Sequence, residues 1–433
     1  MMAAIGLHSA SKVTSPSNPT VFSAQVLLSA LKEETRFEPQ GEPAGNLTLG
    51  RGMIDGRPLC IALVENRIAS GSLGAKECAA LEKLLRIVAF EKTPLILFLD
   101  SAGARLSEGL PALGAFRTMF SAALATAMSG ASMISVLGNN CFGGASMLAH
   151  LACVRIFSPD TVLAMSGPSI LAQAAGTSAL DEMFRAMADS AIGAQARAKA
   201  SERNRMCGNV NELGLLLRVA LSEVSNEEAP ALRHGRLKER LGKAADVFQG
   251  ELLLRRDLDK LFLEQYCVYE LHGVVKGEAH YDEVEHDVLG FIGGKPLRAA
   301  RAWQLADLAW QLAAGSSSRP VMLLLDCDTH ATSLDDEKLL LSEFLADLSL
   351  AFAALRERGL RTTVLRKAGG GVYVAFAAPA DKVALLYGGE IQLLPGSAIA
   401  SILGENVATK TEFGDYRKAG VADEELRIGL LSY

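Results

Sequence analysis

The sequence predicts an α/β fold built as two tandem copies, and three observations support this prediction. At 433 residues the chain exceeds the usual single-domain length of roughly 100–200 residues. Short apolar runs, typical of buried parallel strands, alternate with longer helical patterns. Short motifs of the first half also recur in the second half in the same order, which indicates a duplication. The pairs are Thr93–Asp100 with Arg319–Asp326 and Gly143–Ala145 with Gly369–Gly371, both at an offset of 226, then Gly56–Leu59 with Gly294–Leu297 and Ser166–Ile170 with Pro395–Ile399.

The elements divide the chain into four segments. Strands are predicted at Leu95–Leu99, Met133–Leu137 and Val321–Leu325, and a helix at Gly109–Met128. The segment between the two copies is rich in Arg, Lys and Glu and lacks strand-like runs, and its helices are predicted at Leu213–Leu221 and Leu237–Leu254. The predicted segments are a loose N-terminal tail (1–25), an N-terminal domain (26–193), a helical connector (194–258) and a C-terminal domain (259–433).

Composition and charge exclude several classes of protein. The net charge of −6 argues against nucleic acid as the main partner. Thr118–Val154 holds no Asp, Glu, Lys or Arg, but Ser, Gly and Asn interrupt it, so we expect a buried helix and strand rather than a membrane span. The seven cysteines are scattered and form no C-x-x-C pair. This pattern is typical of a protein in a reducing cytoplasm and argues against a disulfide framework and a cysteine zinc site. The start of the chain does not resemble a signal peptide, so a cytoplasmic location is expected.

Glycine-rich loops directly follow two of the predicted strands. Asp100–Arg105 follows the first strand and Asn139–Ser146 follows the next. Glycine at such a point lets backbone N–H groups approach a ligand, and two N–H groups aimed at one oxygen form an oxyanion hole. A tight crossing of helix and strand is the alternative reason for these glycines.

The first half contains four short motifs rich in glycine and serine: Gly71–Gly74, Ser101–Gly109, Phe142–Ser146 and Ser166–Pro168. Together they resemble the acyl-CoA carboxyltransferase branch of the crotonase superfamily. The Cys141–Gly144 turn is similar to that of the β subunit of biotin-independent malonate decarboxylase. The second half is similar to the γ subunit of that enzyme, so the resemblance, over about residues 50–185 and 290–405, implies a β–γ fusion in one chain.

The resemblance implies a ClpP/crotonase ββα-superhelix in each half, with the active site between the halves. It also implies an acyl thioester substrate, carried on coenzyme A or on an acyl carrier protein. No covalently bound cofactor is expected, and the chain is expected to form a homodimer. The implied activity is biotin-independent decarboxylation of a malonyl thioester through an enolate. Two alternatives stay open: a biotin-dependent carboxyltransferase, and a non-catalytic scaffold that binds a carrier protein. The second-half loop Cys327–Ala331 departs from Ser101–Arg105, which is consistent with loss of biotin handling.

The candidate site residues follow from these motifs. Gly143 and Gly144 are expected to donate to the thioester oxygen, and Gly370 and Gly371 lie where related enzymes hold the carboxyl-carrying partner. His330 is either the proton donor to the enolate or a solvated loop histidine. The residues expected to contact substrate are Ser72, Gly103, Ala104, Arg105, Phe142, Ser166, Gly167 and Tyr373.

Other roles are open to several of these side chains. Arg105 either anchors an anion or, as we favour, braces its loop through Asp100 or Glu108. Ser72 and Ser166 are either thioester contacts or turn residues, and Tyr373 is either a core residue or a hydroxyl donor. Basic connector residues bind coenzyme phosphates or an acidic carrier protein, or form a solvated helix face. They are Arg197, Lys199, Arg203, Arg205, Arg233, Arg236, Lys238 and Arg240.

Overall fold

The structure is a computed structural model that describes residues 23–176, 182–224, 230–394 and 411–428. Helix α1 (Ala24–Glu34) opens the described chain, so it begins before the end of the predicted tail. Ser23 caps this helix, its hydroxyl accepting the N–H of Val26 at 3.3 Å. The rest of the tail and the repeat motif Pro395–Ile399 lie outside the described residues.

The first half forms one mixed sheet with helices on both faces. In the described ranges the strand order is β1-β2-β3-β4-β5-β6-β8, with β7 paired to the end of β5. The strands are β1 (Glu38–Pro39), β2 (Leu47–Ile54), β3 (Arg57–Val64), β4 (Leu95–Ser101), β5 (Met133–Phe142), β6 (Val154–Phe157), β7 (Val162–Ala164) and β8 (Asn204–Met206). The helices after α1 are α2 (Ala75–Glu91), α3 (Leu110–Met128), α4 (Gly144–Leu151), α5 (Pro168–Ala174), α6 (Glu182–Ile192), α7 (Ala194–Ala200), α8 (Leu213–Val224) and α9 (Pro230–Leu241).

The second half forms a sheet of the same plan. Its order is β17-β15-β14-β13-β12-β11-β10-β9, with β16 paired to the end of β14. The strands are β9 (Glu251–Leu252), β10 (Tyr266–Leu271), β11 (Val274–Tyr281), β12 (Val284–Phe291), β13 (Val321–Cys327), β14 (Leu360–Gly369), β15 (Lys382–Leu386), β16 (Glu390–Gln392) and β17 (Glu424–Leu426). The helices are α10 (Arg256–Leu261), α11 (Ala299–Ala314), α12 (Leu334–Lys338), α13 (Leu341–Ala353), α14 (Gly370–Ala377) and α15 (Phe413–Lys418).

The predicted α/β class and the duplication are confirmed by the matching order of elements. Each half contains an antiparallel hairpin of two eight-residue strands, β2–β3 and β11–β12, followed by parallel strands. The register also shifts at the same place in both halves, between Leu99 and Ser101 and between Leu325 and Cys327. The predicted strands and the helix at Gly109–Met128 coincide with β4, β5, β13 and α3.

Two of the repeat pairings from the sequence are wrong. Phe142 pairs with Ala164 as Gly369 pairs with Gln392, so Gly143 corresponds to Gly370, one residue beyond the predicted offset. Both of these glycines have positive φ, +56° and +53°. Gly294–Leu297 is equivalent to the segment before Leu73, not to Gly56–Leu59, because Leu297 bridges His330 as Leu73 bridges Ala104. These short sequence motifs matched by chance at the wrong positions. The pairing of the strands shows which residues of the two halves are equivalent.

The connector also differs from the prediction. Helix α8 confirms Leu213–Leu221, but the second predicted helix is wrong, since α9 ends at Leu241 and β9 follows. The segment contributes β8 to the first sheet and β9 to the second. Both are too short, at three and two residues, to produce a strand pattern in the sequence.

One apolar core runs through both halves. It includes Leu97 on β4 and Leu323 on β13, while their neighbours Phe98 and Leu324 face separate clusters on the outer side of each sheet. In the described part of the chain, no helix is both long and apolar enough to cross a membrane.

Helix α3 packs directly on the C-terminal part of the second half. A Cβ at Gly114 would lie 1.7 Å from the carbonyl oxygen of Ala419. Arg117, one turn further on, donates to the carbonyl of Ala377 at 3.2 Å and pairs with Asp423 at 2.9 Å. The close contact of the halves therefore requires glycine at position 114.

We expect Gly114→Ala to lower the free energy of unfolding by about 1–3 kcal/mol, because the added methyl group must push the halves apart. Gly235→Ala in α9 is the matched control, since a Cβ there meets no atom within 4 Å. That change should raise stability by up to about 1 kcal/mol through helix propensity. Urea unfolding of both variants measures the difference, and a stabilised Gly114→Ala would contradict the close contact.

Candidate active site

A cavity of about 810 Å³ lies between the two halves. The first half contributes the loops after β4 and β5 and the start of α5, and the second half contributes the loop after β13 and the start of α14. Most of the predicted site residues line it: Ser72, Ala104, Arg105, Phe142, Gly143, Gly144, Ser166, Gly167, His330, Gly370 and Gly371.

The first-half wall presents backbone N–H groups. Gly144 is the first residue of α4, and neither its N–H nor that of Ala104 has an acceptor among the described residues. The N–H of Gly143 donates to the carbonyls of Ala164 and Met165, both at 3.2 Å. The predicted donation from Gly143 is therefore wrong, and the cavity-lining residues whose N–H groups have no acceptor here are Ala104 and Gly144.

Gly103 keeps this wall open although it does not line the cavity itself. Its φ is +93°, and a Cβ there would lie 2.8 Å from the carbonyl oxygen of Phe142 and 3.5 Å from the nitrogen of Gly144. Any side chain at position 103 would crowd the loop that carries the Gly144 N–H. Gly103 is thus required for the shape of the site rather than for contact with a ligand.

Arg105 braces the loop, as we favoured from the sequence. Its guanidinium pairs with the buried carboxylate of Glu77 and, at 2.7 Å, with Glu108, and it donates to the carbonyl of Ser72 at 2.8 Å. The Ser72 hydroxyl accepts from Arg105 Nε at 3.3 Å and is buried. Arg105 and Ser72 therefore fix each other's positions through hydrogen bonds. Glu77, which the sequence analysis did not identify, adds an ion pair to Arg105.

Side chains approach both glycine turns: in the first, a Cβ at Gly144 would lie 2.4 Å from the Phe116 ring. A Cβ at Gly370 would lie 3.5 Å from Thr329 Oγ1 and 3.6 Å from His330 Nδ1. A Cβ at Gly371 would lie 2.5 Å from the terminal methyl of Met165, which comes from the first half. Side chains therefore lie close to both second-half glycines, which still line the cavity.

His330 and Ser166 meet across the boundary between the halves. The imidazole Nε2 lies 3.1 Å from the Ser166 hydroxyl, and Nδ1 lies 3.3 Å from the Thr329 hydroxyl. Burial lowers the pKa of His330 to about 4, so the ring is neutral near pH 7. The alternative of a solvated loop histidine is wrong, because His330 is only 4% exposed.

A buried glutamate on α12 fixes the position of Ser166. Glu337 accepts the N–H of Ser166 at 2.8 Å and that of Met165 at 3.2 Å. Arg197 pairs with the same carboxylate at 3.3 Å and also donates to the Glu337 carbonyl. Burial raises the pKa of Glu337 to about 7, against the opposing effects of Arg197 and the two N–H groups.

Two further candidates have settled positions. Gly167 lies beside the Phe142 ring, to which a Cβ would come within 3.6 Å. Tyr373 is wholly buried, does not line the cavity and donates its hydroxyl to the carbonyl of Val421. The predicted substrate contact is therefore wrong, and the alternative prediction of a core residue is correct.

Sequence reasoning did not identify the role of Glu337 or Arg197. Glu337 belongs to the acidic run Asp335–Glu337, which is typical of a solvated helix, and Arg197 lies in the basic connector. Both are buried only because they pair across the two halves, and no local pattern records such a pairing. Within the described ranges, His, Cys, Asp and Glu side chains form no group of three that could hold a metal ion.

Comparison with known proteins identifies relatives of the first half. Residues 25–188 match the family model of the carboxyl transferase domain. The methylmalonyl-CoA carboxyltransferase 12S subunit of Propionibacterium freudenreichii subsp. shermanii is 30% identical over 152 residues, which are 35% of this chain and 29% of that subunit. The chloroplastic acetyl-coenzyme A carboxylase carboxyl transferase subunit beta of Pyropia yezoensis is 29% identical over 36% of this chain and 54% of that protein. The chain thus spans less than a third of the first relative and about half of the second.

Solved structures give a low level of similarity. Transcarboxylase 12S with hydrolyzed methylmalonyl-coenzyme A bound covers 93% of this chain, and this chain covers 86% of it, at 20% identity and a TM-score of 0.40. A Pseudomonas malonate decarboxylase hetero-tetramer in complex with malonate covers 51% of this chain, with 91% of that chain matched, at 20% identity and a TM-score of 0.45.

The depressed pKa of His330 predicts a pH-dependent contribution to stability. The folded-state pKa of about 4 lies below the ordinary value of 6.5, so the unfolded chain binds the proton more tightly. Stability is therefore complete above about pH 6.5 and is lost as the pH falls toward 4. In His330→Gln, the slope of unfolding free energy against pH in this window should be smaller, by up to about 1.4 kcal/mol per pH unit. Equal slopes for the two proteins in urea unfolding would contradict a buried neutral imidazole.

Proposed function

We propose that this protein decarboxylates a malonyl thioester to an acetyl thioester and CO2 without biotin. The observation that carries the proposal is the contrast between two equivalent bridge positions, Ala104 in the first half and His330 in the second. Ala104 and Gly144 line the cavity and their N–H groups have no acceptor among the described residues, whereas the second half places an imidazole, bonded to Ser166, at the position equivalent to Ala104. The family resemblance places the carboxyl-carrying partner at the second turn, so an imidazole beside that turn favours a reaction that needs a proton there and no such partner.

The reaction requires charge stabilisation more than a nucleophile. The bond between the α-carbon and the carboxylate carbon breaks, CO2 leaves, and the electron pair delocalises onto the thioester oxygen as an enolate. In this proposal the N–H groups of Ala104 and Gly144 donate to that oxygen. A well-placed donor of this kind is worth about 3–4 kcal/mol of transition-state stabilisation.

The enolate then takes one proton at the α-carbon, and the Ser166–His330 pair is suited to deliver it. Ser166 is a buried residue of the cavity wall, and the neutral imidazole 3.1 Å from its hydroxyl can reprotonate it. The backbone bond from Ser166 to Glu337 keeps the hydroxyl in place. Malonyl thioester and one proton thus give acetyl thioester and CO2, with the proton ultimately drawn from water.

The carrier of the acyl group and the assembly of the chain are part of the proposal. The Carboxyl transferase match and the relatives that act on coenzyme A thioesters favour a thioester on coenzyme A or on the phosphopantetheine of an acyl carrier protein. The fusion of β-like and γ-like halves, the homodimer and the cytoplasmic location stay predictions.

The direct test is to incubate the purified chain with malonyl-coenzyme A or malonyl-loaded carrier protein, without biotin or ATP, and to follow acetyl thioester by mass spectrometry. Enzyme-dependent product from either substrate supports the proposal and identifies the carrier. Turnover only after addition of a biotinylated carrier would replace it by biotin-dependent carboxyl transfer. Carrier binding without turnover under either condition would indicate a scaffold.

We expect Ser166→Ala and His330→Gln each to lower kcat by about 10²-fold or more, as loss of a proton donor does. Because the two groups act as one relay, the double variant should be no slower than the slower single variant. Ser169→Ala is the matched control, since Ser169 lines the same cavity but is exposed and forms no bond to His330. Additive losses in the double variant would contradict a shared relay.

A further inference from the structure

We propose that a second cavity, separate from the candidate active site, binds a small phosphate-bearing anion. This arginine cavity has a volume of about 520 Å³ and shares no lining residue with the cavity between the glycine turns. It lies where α4, β6, α9 and α13 meet. Five arginines line it: Arg155, Arg203, Arg233, Arg236 and Arg240.

In the inner part of this cavity, two arginines share one carboxylate. The Arg155 side chain is fully buried, and it shares the carboxylate of Glu343 with Arg240, at 3.3 Å and 2.7 Å. The other inner carboxylate, Asp347, is paired with His234 at 2.7 Å, and it therefore contributes little to neutralising the arginines. Glu202 and Glu239 also line the cavity, but both are exposed.

The guanidinium groups perturb one another. Burial and the neighbouring arginines lower the pKa of Arg155 to about 10, and Arg233 is affected in the same way. An anion placed among them would offset both the lost hydration and the mutual repulsion.

His150 is an independent sign of a ligand. Its ring is 4% exposed and lines the arginine cavity, yet neither ring nitrogen has a hydrogen-bond partner in the described part of the chain. Buried polar groups are nearly always hydrogen-bonded, so an unbonded imidazole calls for an explanation. An oxyanion in the cavity would accept the N–H of the neutral ring.

A phosphate group suits this set of donors. Guanidinium forks match the oxygens of a phosphate and form charge-assisted, often bidentate, hydrogen bonds. Free phosphates and the phosphates of a coenzyme share this chemistry, so the experiment has to separate the two sources.

Helix α4 connects the arginine cavity to the candidate active site. Helix α4 begins at Gly144, next to the first cavity, and carries His150 in its last turn. The eight residues of this helix span about 12 Å at 1.5 Å per residue. An anion bound at the C-terminal end of α4 therefore contacts the helix whose N-terminus supplies a proposed donor.

The test is calorimetric titration of the full chain with inorganic pyrophosphate, and then with inorganic phosphate, at constant ionic strength. We expect saturable binding to the wild type. Arg233→Gln should weaken it by about tenfold or more, as loss of a charge-assisted bond does. Arg236→Gln should weaken it severalfold, and because Arg236 is 52% exposed, this variant keeps the test valid if Arg233→Gln fails to fold.

Arg205→Gln is the matched control, because Arg205 lies in the same segment, pairs with Glu223 and does not line the cavity. Absent or non-saturable binding, or equal affinities in all three variants, would overturn the proposal. Coenzyme A added to the pyrophosphate complex then separates the sources. Displacement identifies coenzyme phosphates, and simultaneous binding identifies a free anion.

Discussion

The arrangement of the site depends on one buried carboxylate that links the two halves. Glu337 belongs to the second half, yet its carboxylate accepts the N–H groups of Met165 and Ser166 and pairs with Arg197. Met165 and Ser166 belong to the first half, and Arg197 belongs to the connector. A carboxylate removed from water must find such partners, so these contacts favour the observed relative position of the two halves. That position brings Ser166 to His330 and seats Met165 against the second glycine turn.

Duplication supplies the frame, and divergence at equivalent positions supplies the function. Ala104 and His330 occupy the same bridge position, and Gly143 and Gly370 have the same left-handed backbone. The first copy has the methyl group of Ala104 at the bridge position, whereas the second copy has the imidazole of His330. One half is thus suited to stabilise an oxyanion and the other to handle a proton, and the cavity between them combines both roles.

Much of the fold could be predicted from the sequence, because its strands are apolar runs bounded by glycine and its helices have strong periodicity. The first glycine turn and His330 were also accessible, since they follow predicted strands, and the second glycine turn was found from the repeat. Partners across the halves were not accessible: Glu337 lies in an acidic run, and the packing of Tyr373 is fixed by the distant Val421 carbonyl. The arginine cavity was recognised only as a basic segment, because Arg155 and His150 join it from the first sheet domain.

The central claim is that this chain forms an enolate between its halves and protonates it through Ser166. The most direct test is to incubate malonyl thioester with the purified chain in D2O, without biotin or ATP, and to record deuterium in the acetyl methyl group. Our account predicts acetyl thioester carrying one deuterium, formed at an enzyme-dependent rate that falls sharply in Ser166→Ala. An absence of acetyl thioester, or a Ser166→Ala variant that forms the labelled product at the wild-type rate, would contradict it.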